Sequence, residues 1–434
     1  MSLIRSKLTY GQEVYFSASN TLLKRLQSID SKAIKLALGV PVHSNTHKTY
    51  KEAGLLSLFE NRKLAVSRYV IRSLSVPNSV REEIFFDQEK DYPKRSRNIP
   101  FLQPIFNYTK DLMNENDIDI AATPILPVVP QLPPWEHTLA NFDIDYTDIK
   151  KDEDLNLLSI EVKSHLVSQY PYHLKVFTDG SVLESGKSGA AFIIPDLKVH
   201  KSFHLGKDFA IFTSELFAIL MALLYLSSSH LDFYSIVFCV DSRSVLQALK
   251  HWQGNVVRND IVFEIKFLIH CLRHKGIGID FCWIPSHCGL YWNDLVDSLA
   301  KQGALECNSE ALISNLKLSS YEINAILKKS VQSKCFGTHF ECFSCSRNIE
   351  IIILKLRLNA WNTKFSKDIR CSCSNIISVH HVLFECPVLT ELYRRKGLDL
   401  NAKYSNVHDA LYDSQPFVIS VAEVISQSTV GKLL

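Results

Sequence analysis

The chain is short of several things. None of its 11 cysteines precedes Cys239 in a sequence of 434 residues. The first ten residues are polar and charged, with no apolar stretch of the kind that heads a secretory leader. The expectation is an intracellular protein with reduced thiols, in which a tight Cys/His cluster reads as a metal site rather than a disulfide framework. Long hydrophobic runs are missing as well. The longest, Phe217 to Leu226, is too short to cross a bilayer and follows Glu215, so neither a membrane span nor a membrane partner is expected. No two aspartates are adjacent, which removes the paired acid motif of a polymerase palm. Internal repeats and low-complexity tracts are absent too.

What remains is an ordinary globular composition, 46% hydrophobic and 21% charged, long enough for about two to four domains. The net charge is only +3, but it is unevenly spread. Residues 1–80 carry 12 Lys and Arg against 4 Asp and Glu, while 111–161 are rich in acids. A basic N-terminal block suits phosphates, and it equally suits solvated helix faces.

The pattern changes along the chain. Leu22, Leu26, Ile29, Ala33 and Leu36 recur at helical spacing, closing at Gly39 and Pro41, and a second helical pattern runs from about Leu55 to Leu74. Prolines and acids crowd 79–170, which reads as a connector in which Asp117 to Val129 docks as an extended strand. Strands are expected at Leu174–Ser181, Ala190–Pro195, Val199–Leu205, Ser235–Asp241 and Gly278–Ile284. Helices are expected near 213–229, 242–251, 256–274 and 293–305. Strands first, then alternating strands and helices, predict a mixed α/β sheet of five strands flanked by helices.

Four carboxylates stand in order on these elements: Asp179, Glu215, Asp241 and Asp297. Strand ends and helix starts would bring them to one place, where mutual repulsion resists ionisation unless a cation joins them. Hard oxygen ligands with room for water are what Mg²⁺ prefers. Each residue has a plainer explanation. Asp179 before Gly180 suits a turn, Asp241-Ser242 suits a helix cap, Glu215 suits a helix macrodipole, and Asp297 suits an ion pair with Lys301.

Thr-Asp-Gly-Ser (178–181), Ser-Glu-Leu-Phe-Ala-Ile (214–219), Val-Asp-Ser (240–242) and Trp-Ile-Pro-Ser-His (283–287), continued by Gly289, Asn293, Asp297 and Ala300, are similar to the type 1 ribonucleases H over about 171–306. The resemblance implies an Mg²⁺-dependent endonuclease, with Mn²⁺ as a substitute, that hydrolyses the RNA strand of an RNA–DNA hybrid. It implies two ions, with Asp179 bridging them, Glu215 and Asp241 holding one, and Asp297 holding the other with the attacking water. It gives His287 a part in proton transfer or product release. Trp292-Asn293-Asp294 stands where the family commonly carries Gly-Asn-Glu, so Asp294 is a rival fourth ligand; the ten-residue step from His287 favours Asp297.

Two flanking regions resemble parts of non-LTR retrotransposon polymerases. Tyr10, Gly11, Glu13, Lys32, Leu38, Gly39 and Pro41 follow the segment after the palm in those reverse transcriptases. Cys371, Cys373, His381 and Cys386-Pro387 are similar to their Cys-Cys-His-Cys tail, with Cys-x-Cys in place of Cys-x-x-Cys and His380 as an alternative ligand; these are Zn²⁺ ligand types. Cys342-x-x-Cys345 is a further half-site or two simple thiols. The resulting layout is a helical block at 1–78, a connector at 79–170, a ribonuclease H domain at 171–306 and a helical tail at 307–434. The chain is expected to be part of a longer ancestral polyprotein, with other retrotransposon products as partners. The alternative is a non-catalytic nucleic-acid-binding remnant that keeps the fold without the hydrolysis.

Overall fold

A computed structural model describes residues 2–13, 15–16, 18–75, 105–118, 140–146, 155–229, 233–251, 259–305, 316–335, 343–361 and 370–432. The chain divides into two units. One comprises Val70–Glu89 and Thr109–Ile326; the other comprises Met1–Tyr69, Lys90–Tyr108 and Leu327–Leu434.

The first unit is built on one sheet. In chain order its elements are β1 (Asn141–Asp143), α1 (Leu155–Gln169), β2 (Leu174–Val182), β3 (Lys187–Ile194), β4 (Val199–Lys207), α2 (Ile211–Ser228), β5 (Ser235–Val240), α3 (Arg243–Lys250), α4 (Asn259–His274), β6 (Gly278–Trp283) and α5 (Tyr291–Leu305). The strand order is β1-β6-β5-β2-β3-β4. β2, β5, β6 and β1 run parallel, while β3 pairs antiparallel with both β2 and β4. The mixed α/β sheet anticipated from the sequence is present, with six strands rather than five.

The sixth strand comes from the expected connector, which also holds α1 and a helix at Ile105–Asn114. β1 is only three residues long, and side chains fasten it. Asn141 donates to Asp280 at 2.7 Å, and Asp143 takes His165 at 2.5 Å and the Tyr170 hydroxyl at 3.2 Å. Tyr146 stacks on the His165 ring at 3.9 Å. Only Asp117 and Ile118 of the expected strand at 117–129 are described, and they follow the helix; the rest lies outside the described residues.

The two faces of the sheet carry separate cores. Val176, Phe192, Phe238 and Phe281 pack with α2 and α4 on one face. Phe177, Ala191, Val237 and Cys282 pack with α1 and α5 on the other. Alternation along the strands sends neighbouring residues to opposite cores, so these strands read as continuous apolar runs. α2 is apolar all round. By length and composition it would pass for a membrane span, but 67% of that window is buried inside the protein.

α5 crosses the sheet through small residues. A Cβ at Gly189 would stand 2.3 Å from the Ala300 carbonyl oxygen and 2.4 Å from the Ala304 amide. The register of β3 against β4 shifts at Ser188/Gly189. Only a bare backbone lets the helix sit this low.

The other unit joins the two ends of the chain. The N-terminal helix Asn20–Leu38 ends at Gly39 in the left-handed conformation, against Ile351. Arg357 forms a buried ion pair with Glu52 at 3.5 Å, donates to the Leu411 carbonyl at 2.9 Å and lies 4.2 Å over the Tyr412 ring. Tyr412 in turn donates to Glu52 at 2.5 Å. The helical block and the tail, separate in the sequence layout, thus share a polar joint. A buried charge of this kind is costly unless its partners remain, which makes each member dependent on the rest.

Gly189→Ala is expected to lower stability by about 1–3 kcal/mol, because the added methyl group meets backbone on α5 that cannot swing aside. Chemical denaturation checks this; an unchanged midpoint would mean that α5 does not pack as described.

Candidate active site and a second, thiol-rich site

Asp179 lies in the middle of β2, opposite Ala191 on β3. Asp-Gly here is therefore not a turn. Gly180 is required for a different reason: a Cβ on it would stand 2.4 Å from the Glu215 amide and 2.7 Å from the Ser214 Cβ. The first turn of α2 thus rests directly on the backbone of β2, and Glu215 is set beside Asp179. Asp241 follows the last residue of β5, which pairs in parallel with β2 through Thr178 and Val240. Ser242 occupies the cap position of α3 but makes no side-chain cap bond.

One carboxylate oxygen from each of Asp179, Glu215 and Asp241 lies within 4.8 Å of the other two. Asp179 and Glu215 are buried, and Asp179 Oδ2 and Glu215 Oε2 have no hydrogen-bond partner. Orphaned, buried carboxylate oxygens are unstable as bare anions. Burial, then the charges of Asp241 and Asp297, push the Asp179 carboxyl well above its usual range. Burial, then Asp241 and Asp179, do the same to Glu215. Asp241 is raised to about 6 by burial and then by Asp297, against a lowering influence from His287 and a hydrogen bond from Asn293. The Gly180 amide offsets part of this by bonding both Asp179 and Glu215. Three hard oxygen donors in this state fit a divalent cation, which would supply the missing positive charge.

Asp297 stands at the rim. It lies outside the set of three, although its charge reaches each of them. Its Oδ2 accepts from Lys301 at 2.6 Å, the helical ion pair that the spacing allows. Asp294 is exposed, one turn back. His287 is exposed in the loop after β6, with a left-handed φ of 53°.

Sequence reasoning placed Trp283 and Asn293 in the motif without giving them a role, and it missed Glu322. Asn293, 3% exposed, reaches Asp241 from α5. The Trp283 indole donates to the Asp241 carbonyl at 3.0 Å and carries the Arg243 guanidinium 4.1 Å over its ring. Glu322 braces α2 from beyond the sheet. Its Oε1 accepts from the Ala210 amide at 2.8 Å and the Thr213 hydroxyl at 2.6 Å. Ala210 cannot cap a helix itself, so a distant carboxylate does so, one turn before Glu215. No local pattern announces such a cap.

In the other unit, Cys371, Cys373, His381 and Cys386 bring one ligand atom each to within 4.8 Å of one another. Cys373 Sγ lies 3.2 Å from His381 Nε2, and Cys371 Sγ lies 3.6 Å from Cys386 Sγ. The Cys-x-Cys spacing still admits both thiols, because the chain turns back at Ser374, whose amide bonds the Cys371 carbonyl at 2.8 Å. His381 is buried on a π-helical turn with Nδ1 3.6 Å from Glu385, whereas His380 is exposed. Burial raises the Cys371 thiol, but hydrogen bonds from the Cys373 backbone, His381 and Cys386 outweigh it and bring it down to about 6. Burial raises Cys386 to about 11. Cys345 is described and half-buried; Cys342 lies outside the described residues. Asp143, His165 and Cys282 also gather within 4.8 Å, but Asp143 and His165 already satisfy one another in fastening β1.

The family model of RNase H matches residues 171–305, a span that begins just before β2 and ends with α5. It contains all four carboxylates and His287. A search of curated proteins returns no match.

The raised carboxyls set a pH dependence. Each binds its proton more tightly folded than unfolded, so its ionisation opposes folding. That cost is absent below the ordinary carboxylate range near about 4 and grows as pH rises through the higher folded values. In EDTA, the melting temperature is expected to fall from about pH 5 to about pH 8. Asp179→Asn, or added Mn²⁺, should flatten the fall. Identical pH profiles with and without Mn²⁺ would contradict the cation fit.

Proposed function

We propose that this chain is a divalent-metal-dependent endonuclease that hydrolyses the RNA strand of an RNA–DNA hybrid. The observation that carries the reading is the pair of buried, unpartnered carboxylate oxygens on Asp179 and Glu215, beside Asp241, within the matched span. Ribonuclease H domains act on such hybrids, and the 2′-hydroxyl is the group that tells the RNA strand from the DNA strand.

Asp179, Glu215 and Asp241 would hold Mg²⁺, with Asp297 completing a second position once Lys301 releases it. Bound divalent ions supply an activated water and neutralise charge on the phosphate and the leaving oxygen. The protein does the rest. The Gly180 amide and Asn293 hold the carboxylates in place, and Trp283 fixes the backbone carbonyl of Asp241. His287, exposed in the loop after β6, would pass a proton to or from the scissile phosphate.

The reading extends to origin and to the tail. The post-palm motif and the Cys/His tail together support descent from a retrotransposon polymerase. The thiol-rich cluster would hold Zn²⁺ through Cys371, Cys373, His381 and Cys386, with Glu385 orienting the histidine.

Two experiments test these readings. Purified wild-type chain with Mg²⁺ should cleave the labelled RNA strand of a hybrid, and Asp179→Asn or Asp241→Asn should lose at least about a hundredfold in rate, since each removes a metal ligand. Tight hybrid binding without cleavage would favour the non-catalytic alternative, for which the Asp297–Lys301 pair is the structural argument. Separately, Co²⁺ should bind the tail with thiolate-to-metal absorption that Cys371→Ser and Cys386→Ser remove. Absorption that survives both would place the metal elsewhere.

A further inference from the structure

Tyr291 and Trp292 open α5 as an exposed aromatic pair, 67% and 39% accessible, with ring centroids 4.8 Å apart at 72°. Large apolar rings in solvent call for an explanation when they sit together beside a reactive site. The next residue is Asn293, which is buried and bonds Asp241. The turn is firmly built: the Asn293 and Asp294 amides both bond the Leu290 carbonyl at 2.9 Å, and Leu290 and Cys288 are buried behind it. The pair is therefore fixed next to the carboxylates rather than carried on a free loop.

We propose that Tyr291 and Trp292 form a stacking platform for an unpaired nucleobase flanking the scissile phosphate. The enzyme would then favour sites where an RNA–DNA hybrid meets single-stranded RNA over sites deep in a continuous duplex. The inference rests on the nuclease reading for its second half only. Three physical points lead to it. Until cations fill it, the carboxylate cluster repels phosphates, so contacts that do not depend on charge add affinity beside it. Base–aromatic stacking is such a contact, and it tolerates any base because every base has a π face. Bases inside a duplex present no free face, whereas bases at ends and junctions do. Two rings set nearly perpendicular give one face to stack on and one edge to support it.

The test has two readouts. In EDTA, where nothing is cleaved, a short single-stranded oligoribonucleotide should quench the fluorescence of the wild-type chain. Trp292→Phe should abolish most of that quench. With Mg²⁺, KM for a hybrid bearing a single-stranded RNA overhang should rise about tenfold in Trp292→Ala, the loss of roughly one base stack. Its kcat should change less than about twofold, and Trp292→Phe should recover most of the loss. Equal quenching in wild type and Trp292→Phe would overturn the platform, as would an unchanged KM in Trp292→Ala. A wild-type chain that shows the quench but cleaves no hybrid would sink the nuclease reading and leave the platform standing. Equal wild-type cleavage of overhang and blunt hybrids would overturn the junction preference.

Discussion

Three acidic side chains, two buried and one half-buried, are forced into one spot, and the arrangement of the sheet unit is bound up with that constraint. Like charges at this separation repel strongly once water is removed. The fold can hold them only because the backbone leaves them no alternative. Gly180 has no side chain, so the first turn of α2 presses against β2 and carries Glu215 with it. Parallel pairing of β2 with β5 ends beside Asp241. Gly189 lets α5 lie low over β3, which brings Asn293 and Asp297 toward the same end. Like charges crowded at one place and supported from several sides fit a cation.

The other unit solves a similar problem with softer atoms. Of two neighbouring buried thiols, burial raises Cys386, while hydrogen bonds from the Cys373 backbone and His381 lower Cys371. Its ends are tied by Arg357, which meets Glu52, Leu411 and Tyr412 together. In both units a concentrated charge is tolerated because neighbouring groups are built to face it, and in both the donor set matches a metal: oxygen for a hard cation, sulfur and nitrogen for a borderline one.

Much of this was legible in the sequence, and what was not has identifiable causes. The ordered carboxylates and Trp-Ile-Pro-Ser-His gave the sheet unit, since apolar runs and their following acids carry local signals. Asp179-Gly180 invited a turn because that pair often makes one. The need for glycine here arises from a helix that arrives 35 residues later. β1 has three residues among prolines and acids, too few to show a period, and it is held by Asp280, His165 and Tyr170 from elsewhere. Glu322 caps a helix more than a hundred positions away. The joint between Glu52 and Arg357 spans most of the chain. The spacing to Cys386 favours His381 and leaves His380 as an alternative; in the structure His381 is buried on a π-helical turn and His380 is exposed. Local rules find elements and chemistry-bearing residues; long-range contacts decide which of them meet.

The measurement that bears most directly on the central claim is calorimetric titration of the metal-free chain with Mn²⁺, run in two buffers of different ionisation enthalpy. Cation binding at the carboxylates should release protons, because Asp179, Glu215 and Asp241 hold them more tightly than ordinary carboxyls do. The apparent heat should therefore differ between the buffers, and the difference should shrink in Asp179→Asn. Absence of binding, or binding with the same heat and the same proton count in wild type and Asp179→Asn, would mean that the three carboxylates are not held together to receive a cation.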